Sequence, residues 1–167
     1  MKEMTKANLK AAFAGESQAH MKYAIFAEKA EEEGYPEIAR LFRATSFAER
    51  VHATNHLREL SGIGDTAANL ETAMGGENYE HEEMYPAFMA VAKLQGEKKA
   101  LLTMHYASEA EKLHEQLYGE AKKLVETSQD RESAPIYVCP VCGYTVVGEL
   151  PDKCPVSGTA KEQFIQL

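Results

Sequence analysis

Two stretches decide how this chain reads: Glu49-Arg50-Val51-His52 and Glu111-Lys112-Leu113-His114. No other Glu-x-x-His occurs in it. Residues three apart on a helix share a face, so each stretch sets a carboxylate beside an imidazole. Upstream of each lies a matching segment. Gly15-Glu16-Ser17-Gln18-Ala19-His20 aligns with Gly76-Glu77-Asn78-Tyr79-Glu80-His81, and Glu16 and Glu77 precede their Glu-x-x-His by 33 and 34 residues. The spacing describes one unit used twice, with Glu80 breaking the symmetry because its counterpart is Ala19.

The surrounding pattern is helical. A first helix shows a stripe at Leu9, Phe13, Glu16, His20, Tyr23, Ala27 and Ala30 and stops at Gly34-Tyr35-Pro36. A second starts at Pro36, a favoured first helical position, and runs to Ser61-Gly62. A third runs through Ala73, Glu77, Glu80, Met84, Phe88 and Val91 to Gly96, and a fourth from Leu101 to Val125. Short turns make hairpins of the first and second pairs. The stretch of about 62–75 between the pairs is expected to be a connection, with room for a short helix after Asp65-Thr66, long enough to cross a four-helix bundle.

Glu16, Glu49, Glu77, Glu80 and Glu111 all fall within apolar stripes, where bare carboxylates are strongly unfavourable. Depth arithmetic brings them together. Counted from a turn near residue 96, Glu77 and Glu80 lie 19 and 16 residues before it, and Glu111 and His114 lie 15 and 18 after. At roughly 1.5 Å per residue, Glu80 faces Glu111 and Glu77 faces His114. Around residue 35 the corresponding counts are 19 for Glu16, and 14 and 17 for Glu49 and His52. Oxygen and imidazole donors without thiolate suit iron or manganese. One Glu from each of two helices plus Glu-x-x-His from the other two is the ligand pattern of di-iron carboxylate bundles. Five carboxylates nearly balance two ferrous ions. His20, His81, His56 and His105 are read as core or peripheral histidines.

Composition narrows the remaining options. The 167 residues are 44% hydrophobic and 26% charged with a net charge of −8, a globular composition that opposes binding to nucleic-acid phosphates. No apolar run approaches the roughly 18 residues of a membrane span, and Met1–Lys10 lacks a signal-peptide core, so the expected address is cytoplasmic.

Near residue 130 the chain changes character. Pro135, Pro140, Pro151 and Pro155 and all three cysteines follow the polar segment Ser128–Ser133. We therefore divide it into a helical domain, 1–133, and a small C-terminal domain, 134–167. The tail reads Cys139-Pro140-Val141-Cys142, then Cys154-Pro155-Val156-Ser157-Gly158. Paired C-x-x-C loops present four thiolates to iron or zinc, but here position 157 is Ser. An iron site completed by Ser157 or water, a zinc site, and a weak or empty one all remain open.

These motifs, with Glu83-Met84-Tyr85-Pro86 and Gly143-Tyr144, resemble the rubrerythrins over nearly the whole chain. The resemblance implies an all-α ferritin-like four-helix bundle with a rubredoxin-like metal knuckle. It implies two irons, bridged by Glu49 and Glu111, with Glu16 and Glu77 terminal and His114 a fixed imidazole. His52 and Glu80 would alternate on one iron, and Tyr23 and Tyr85 would supply protons or hydrogen bonds, which makes Glu80, His52, Tyr23 and Tyr85 the catalytic group. Cys139, Cys142 and Cys154, with Ser157 uncertain, would hold one Fe or Zn. The implied activity is reduction of hydrogen peroxide to water in oxidative-stress defence. A reductase or rubredoxin would donate the electrons, and the chain would form a homodimer. The alternative is a ferritin-like iron-binding protein with ferroxidase chemistry, in which an appended cysteine module has no purpose.

Overall fold

The computed structural model describes Met1–Leu167 and divides the chain into two compact units, Met1–Gly64 and Asp65–Leu167. The first is a helical hairpin. Helix α1 (Glu3–Glu32) turns through Gly34 (φ 82°) into α2 (Pro36–Glu59). The Tyr35 amide donates to the Ala30 carbonyl at 2.8 Å, closing the turn. Small side chains set the approach of the two helices: Ala27, Ala30, Ala39, Ser46 and Ala53 are buried. Tyr23, Phe26 and Phe42 form an aromatic cluster beside them, with ring centroids 5.7–6.4 Å apart.

The second unit opens on α3 (Thr66–Tyr79) and continues through α4 (Tyr85–Gln95) and α5 (Lys98–Glu126), with α3 and α4 packed on α5. Asp65 caps α3, its side chain accepting from the Ala68 amide at 2.9 Å. The sequence predicts a short helix starting here within a longer connection; the helix instead runs unbroken to Tyr79. Only residues 60–65 lie between α2 and α3, and six residues span at most about 22 Å. The cap signal at Asp65 outweighs Gly75 and Gly76, which sit inside the helix.

The third predicted helix is also not continuous. Glu80–Met84 forms a π-helical turn, with the Tyr85 amide bonded to the Glu80 carbonyl. Pro86 has no amide to give and its ring crowds the preceding turn, which favours the wider coil. A π turn holds one extra residue. That extra residue matches the single-residue difference between the 33- and 34-residue spacings of the two halves.

After α5 the chain forms a small antiparallel sheet in the order β2-β1-β3, from β1 (Ile136–Val138), β2 (Thr145–Val147) and β3 (Ile165–Gln166). Ile136 pairs with Val147 and Val138 with Ile165. The first cysteine loop joins β1 to β2, and the second lies between the bridged residues Lys153 and Ala160. In each, a glycine amide returns to the first cysteine's carbonyl: Gly143 to Cys139 and Gly158 to Cys154, both at 2.9 Å. The glycines adopt φ of 77° and 75°, which side chains with a Cβ rarely adopt.

Candidate metal centres

The structure sorts the bundle carboxylates into two triads, one in each unit. In the first unit, donor atoms of Glu16, Glu49 and His52 lie within 4.8 Å of one another. His52 Nδ1 sits 2.9 Å from Glu49 Oε2, as the three-residue spacing dictates. In the second, Glu77, Glu111 and His114 are grouped equally closely, with His114 Nδ1 2.6 Å from Glu111 Oε2. Each triad gathers two carboxylates and one imidazole, the donors that divalent iron or manganese takes.

The electrostatics of the second triad call for a cation. Burial, and then the neighbouring Glu111, push the Glu77 carboxyl up to about 7, with Glu80 adding to the effect and His114 opposing it. Burial and Glu111 raise Glu80 as well. Glu80 begins the π turn and stands outside the close triad, within electrostatic reach of Glu77 and Glu111. Tyr85, at the end of that turn, has its phenol raised by burial and by Glu80, Glu111 and Glu77. It therefore faces the carboxylates. Tyr23 is packed in the aromatic cluster with Phe26 and Phe42.

Two of the remaining histidines make structural ties. His20 Nδ1 lies 2.9 Å from the Ser46 carbonyl, and the Ser46 hydroxyl donates back to the His20 carbonyl, pinning α1 to α2. Buried His81 places Nε2 2.6 Å from Glu115 Oε2 on α5. Its Nδ1 lies 3.2 Å from the Glu82 carboxylate, yet the angle there leaves that nitrogen without a hydrogen bond.

In the tail the sulfurs of Cys139, Cys142 and Cys154 cluster within 4.8 Å, all three buried. Cys142 and Cys154 are 3.4 Å apart. Ser157 Oγ lies 3.3 Å from Cys139 Sγ, so the hydroxyl occupies the place of a fourth ligand, and its other neighbour is Thr159 Oγ1 at 2.7 Å. Burial opposes ionisation of Cys139, but hydrogen bonds from Ser157, Thr159 and the backbone of Val141 and Cys142 outweigh it and lower the thiol to about 6. Burial pushes Cys142 up to about 11. Three convergent sulfurs, one of them with its thiol lowered, suit iron or zinc.

One functional residue escaped the sequence reading. Thr145, on β2, places its hydroxyl 2.9 Å from His114 Nε2 and donates to the Gly143 carbonyl at 3.0 Å. Gly143 follows Cys142 directly and lies against Ala110 of α5. Tyr106 of α5 packs on the cysteine cluster itself. No motif marks Thr145, because the contact depends on how the sheet seats on α5.

The family profile described as rubrerythrin matches residues 7–122, and that of the rubrerythrin rubredoxin-like domain matches 137–165. Rubrerythrin-2 of Clostridium acetobutylicum is 39% identical, covering 96% of this chain and 95% of the relative. Nigerythrin of Nitratidesulfovibrio vulgaris is 37% identical over 96% of this chain and 85% of its own. The fully reduced, all-ferrous structure of nigerythrin aligns with a TM-score of 0.59 at 35% identity, covering 98% of this chain and 86% of that one.

Proposed function

The chain belongs to the rubrerythrin family, and from that premise we propose that it is a non-haem di-iron peroxidase reducing hydrogen peroxide to water. The family binds a di-iron site in ferritin-like helices and a rubredoxin-like iron, and its members are oxidoreductases. The observation that carries the finer reading is the pair of matched triads with one unmatched carboxylate, Glu80, beside Tyr85.

Glu16, Glu49 and His52 together with Glu77, Glu80, Glu111 and His114 would hold two irons. Bound there, two ferrous ions supply both electrons of peroxide cleavage, H2O2 + 2e⁻ + 2H⁺ → 2H2O, so no hydroxyl radical need escape. The side chains do the rest. Glu49 and Glu111 each stand beside their own histidine and would serve as carboxylate ligands, bridging as the rubrerythrin resemblance implies. Glu80, on the π turn, and His52 would be the two ligands that exchange on one iron, as the rubrerythrin resemblance implies. Tyr85 and the raised carboxyls keep protons available near the carboxylate cluster, where the leaving oxygen needs them.

The tail serves as the electron input. Cys139, Cys142 and Cys154, completed by Ser157, would hold one iron or zinc, and an external rubredoxin or reductase would be the donor. No helix is long and apolar enough to cross a membrane; we place the protein in the cytoplasm as a homodimer. The test is anaerobic stopped-flow oxidation of the diferrous protein. Peroxide should oxidise it much faster than dioxygen does, and the reverse order would favour the ferroxidase alternative.

A further inference from the structure

The segment that carries Glu77 and Glu80 is soft by its own chemistry. Gly75 and Gly76 stand immediately before Glu77, and a glycine inside a helix weakens it relative to alanine. A Cβ at either position would meet nothing within 4 Å, so close packing does not require glycine there. On the other side the backbone widens into the π turn Glu80–Met84, a rare helical geometry. No side chain of α3 is buried, and His81 is the one buried side chain of the π turn. Buried apolar packing therefore does not hold this segment.

One side chain of α5 does. Glu115 Oε1 accepts from Asn78 Nδ2 at 3.1 Å, and Glu115 Oε2 lies 2.6 Å from His81 Nε2. An ionised carboxylate only accepts, so the ring donates from Nε2. Asn78 precedes Glu80 by two residues and His81 follows it by one, so the two bonds grip the chain on both sides of the joint between helix and π turn. The His81 bond is short and charge-assisted, from a buried ring, whereas the Asn78 bond is exposed. The buried Nδ1 of His81 has no hydrogen-bond partner. An apolar ring would fill the same space without that penalty, so what the imidazole adds here is its bond to Glu115. Glu115 directly follows His114, and the grip is thus taken from the turn of α5 that carries a ligand.

We propose that Glu115 is a positioning residue for the dinuclear centre: by holding Asn78 and His81 it pins the backbone at Glu80 to α5, so that Glu80 is presented beside Glu111 from a fixed turn. The role needs hydrogen bonds and not the charge. Glu115→Gln keeps both bonds, its carbonyl accepting from His81 and its amide donating to the Asn78 side-chain oxygen once that amide flips. Glu115→Ala keeps neither. This inference rests on the di-iron reading in which Glu80 is an exchanging ligand.

Hydrogen exchange in the metal-free chain reads the grip without iron. In Glu115→Ala, checked for helicity, the amides of residues 80–85 should exchange roughly 10-fold faster, the effect of losing a hydrogen bond to a charged group, while those of Met1–Gly64 stay as in wild type. His81→Phe fills the same space without the Nε2 bond and should match Glu115→Ala; Glu115→Gln should match wild type. In the iron-loaded protein Glu115→Ala should lower kcat for peroxide. Glu80→Ala/Glu115→Ala should be no slower than Glu80→Ala alone, because Glu115 acts through Glu80. Three results each overturn the proposal: unchanged exchange in folded Glu115→Ala or His81→Phe, losses of kcat that add in the double variant, or Glu115→Gln as impaired as Glu115→Ala. If Glu80→Ala turns over as wild type does, the ligand-exchange reading fails separately, and hydrogen exchange alone then decides whether Glu115 holds the turn.

Discussion

His114 and Thr145 form a bridge between a helix of the carboxylate centre and the cysteine module. His114 Nδ1 faces Glu111, and Nε2 lies 2.9 Å from the Thr145 hydroxyl, whose own proton goes to the Gly143 carbonyl next to Cys142. Because the threonine proton is committed, the ring must donate from Nε2. That leaves the Nδ1 lone pair for a metal, so the sheet sets the tautomer of a helix-borne ligand. The same bonds make a short covalent and hydrogen-bonded route from Cys142 to the imidazole.

Thr145→Val should therefore weaken metal binding at the bundle by roughly 10- to 100-fold, the usual effect of losing such a partner. Re-reduction of the oxidised centre should slow as well. Thr145→Ser keeps the hydroxyl and should behave as wild type. Competition with a chelator measures the first effect and stopped-flow the second; wild-type values for Thr145→Val in both would remove the bridge.

The ligand assignment predicts unequal losses. Glu49→Ala and Glu111→Ala should each abolish two-iron binding. Glu80→Ala should retain metal better than Glu111→Ala but turn over peroxide more slowly, because Glu80 lies outside the close triad. Elemental analysis beside peroxidase rates checks this, and an unimpaired Glu80→Ala would end the ligand-exchange proposal.

The metal-stripped protein should become less stable as pH rises from about 4.5 to 7. Glu77 is raised to about 7 in the folded chain from an unfolded value of 4.5, so between those values the folded state binds more protons. Its stability is highest below that window and is lost as the carboxyl ionises. Melting temperatures across the range should fall, and Glu77→Gln should flatten the profile. A rise with pH in wild type, lost in Glu77→Gln, would reverse the assigned sign.

Ser157→Cys should produce a tetrathiolate iron spectrum and faster re-reduction of the bundle at equal bundle occupancy. The hydroxyl already occupies the fourth position, 3.3 Å from Cys139 Sγ, so the added sulfur needs little rearrangement. If spectrum and rate both stay unchanged, the tail is a structural clip.

Much of this was legible in the sequence because it is local. Helix type follows from apolar spacing and caps, Glu-x-x-His puts two donors on one face by helical geometry alone, and the Cys-Pro-x-x-Gly loops carry their glycines where positive φ is needed. The π turn was half visible, as one residue of difference between two spacings and a proline in mid-helix. The sequence alone suggests a longer connection and a shorter helix within it, since Gly75 and Gly76 read as a break, whereas the cap at Asp65 and packing against α5 hold those glycines in a helix. What only tertiary structure decided lies between elements distant along the chain. The Thr145–His114 bond joins residues 31 apart and the His81–Glu115 tie residues 34 apart. Such pairings carry no periodic signature: side chains at that separation meet only when whole elements pack, and the packing, not the spacing, selects the partner.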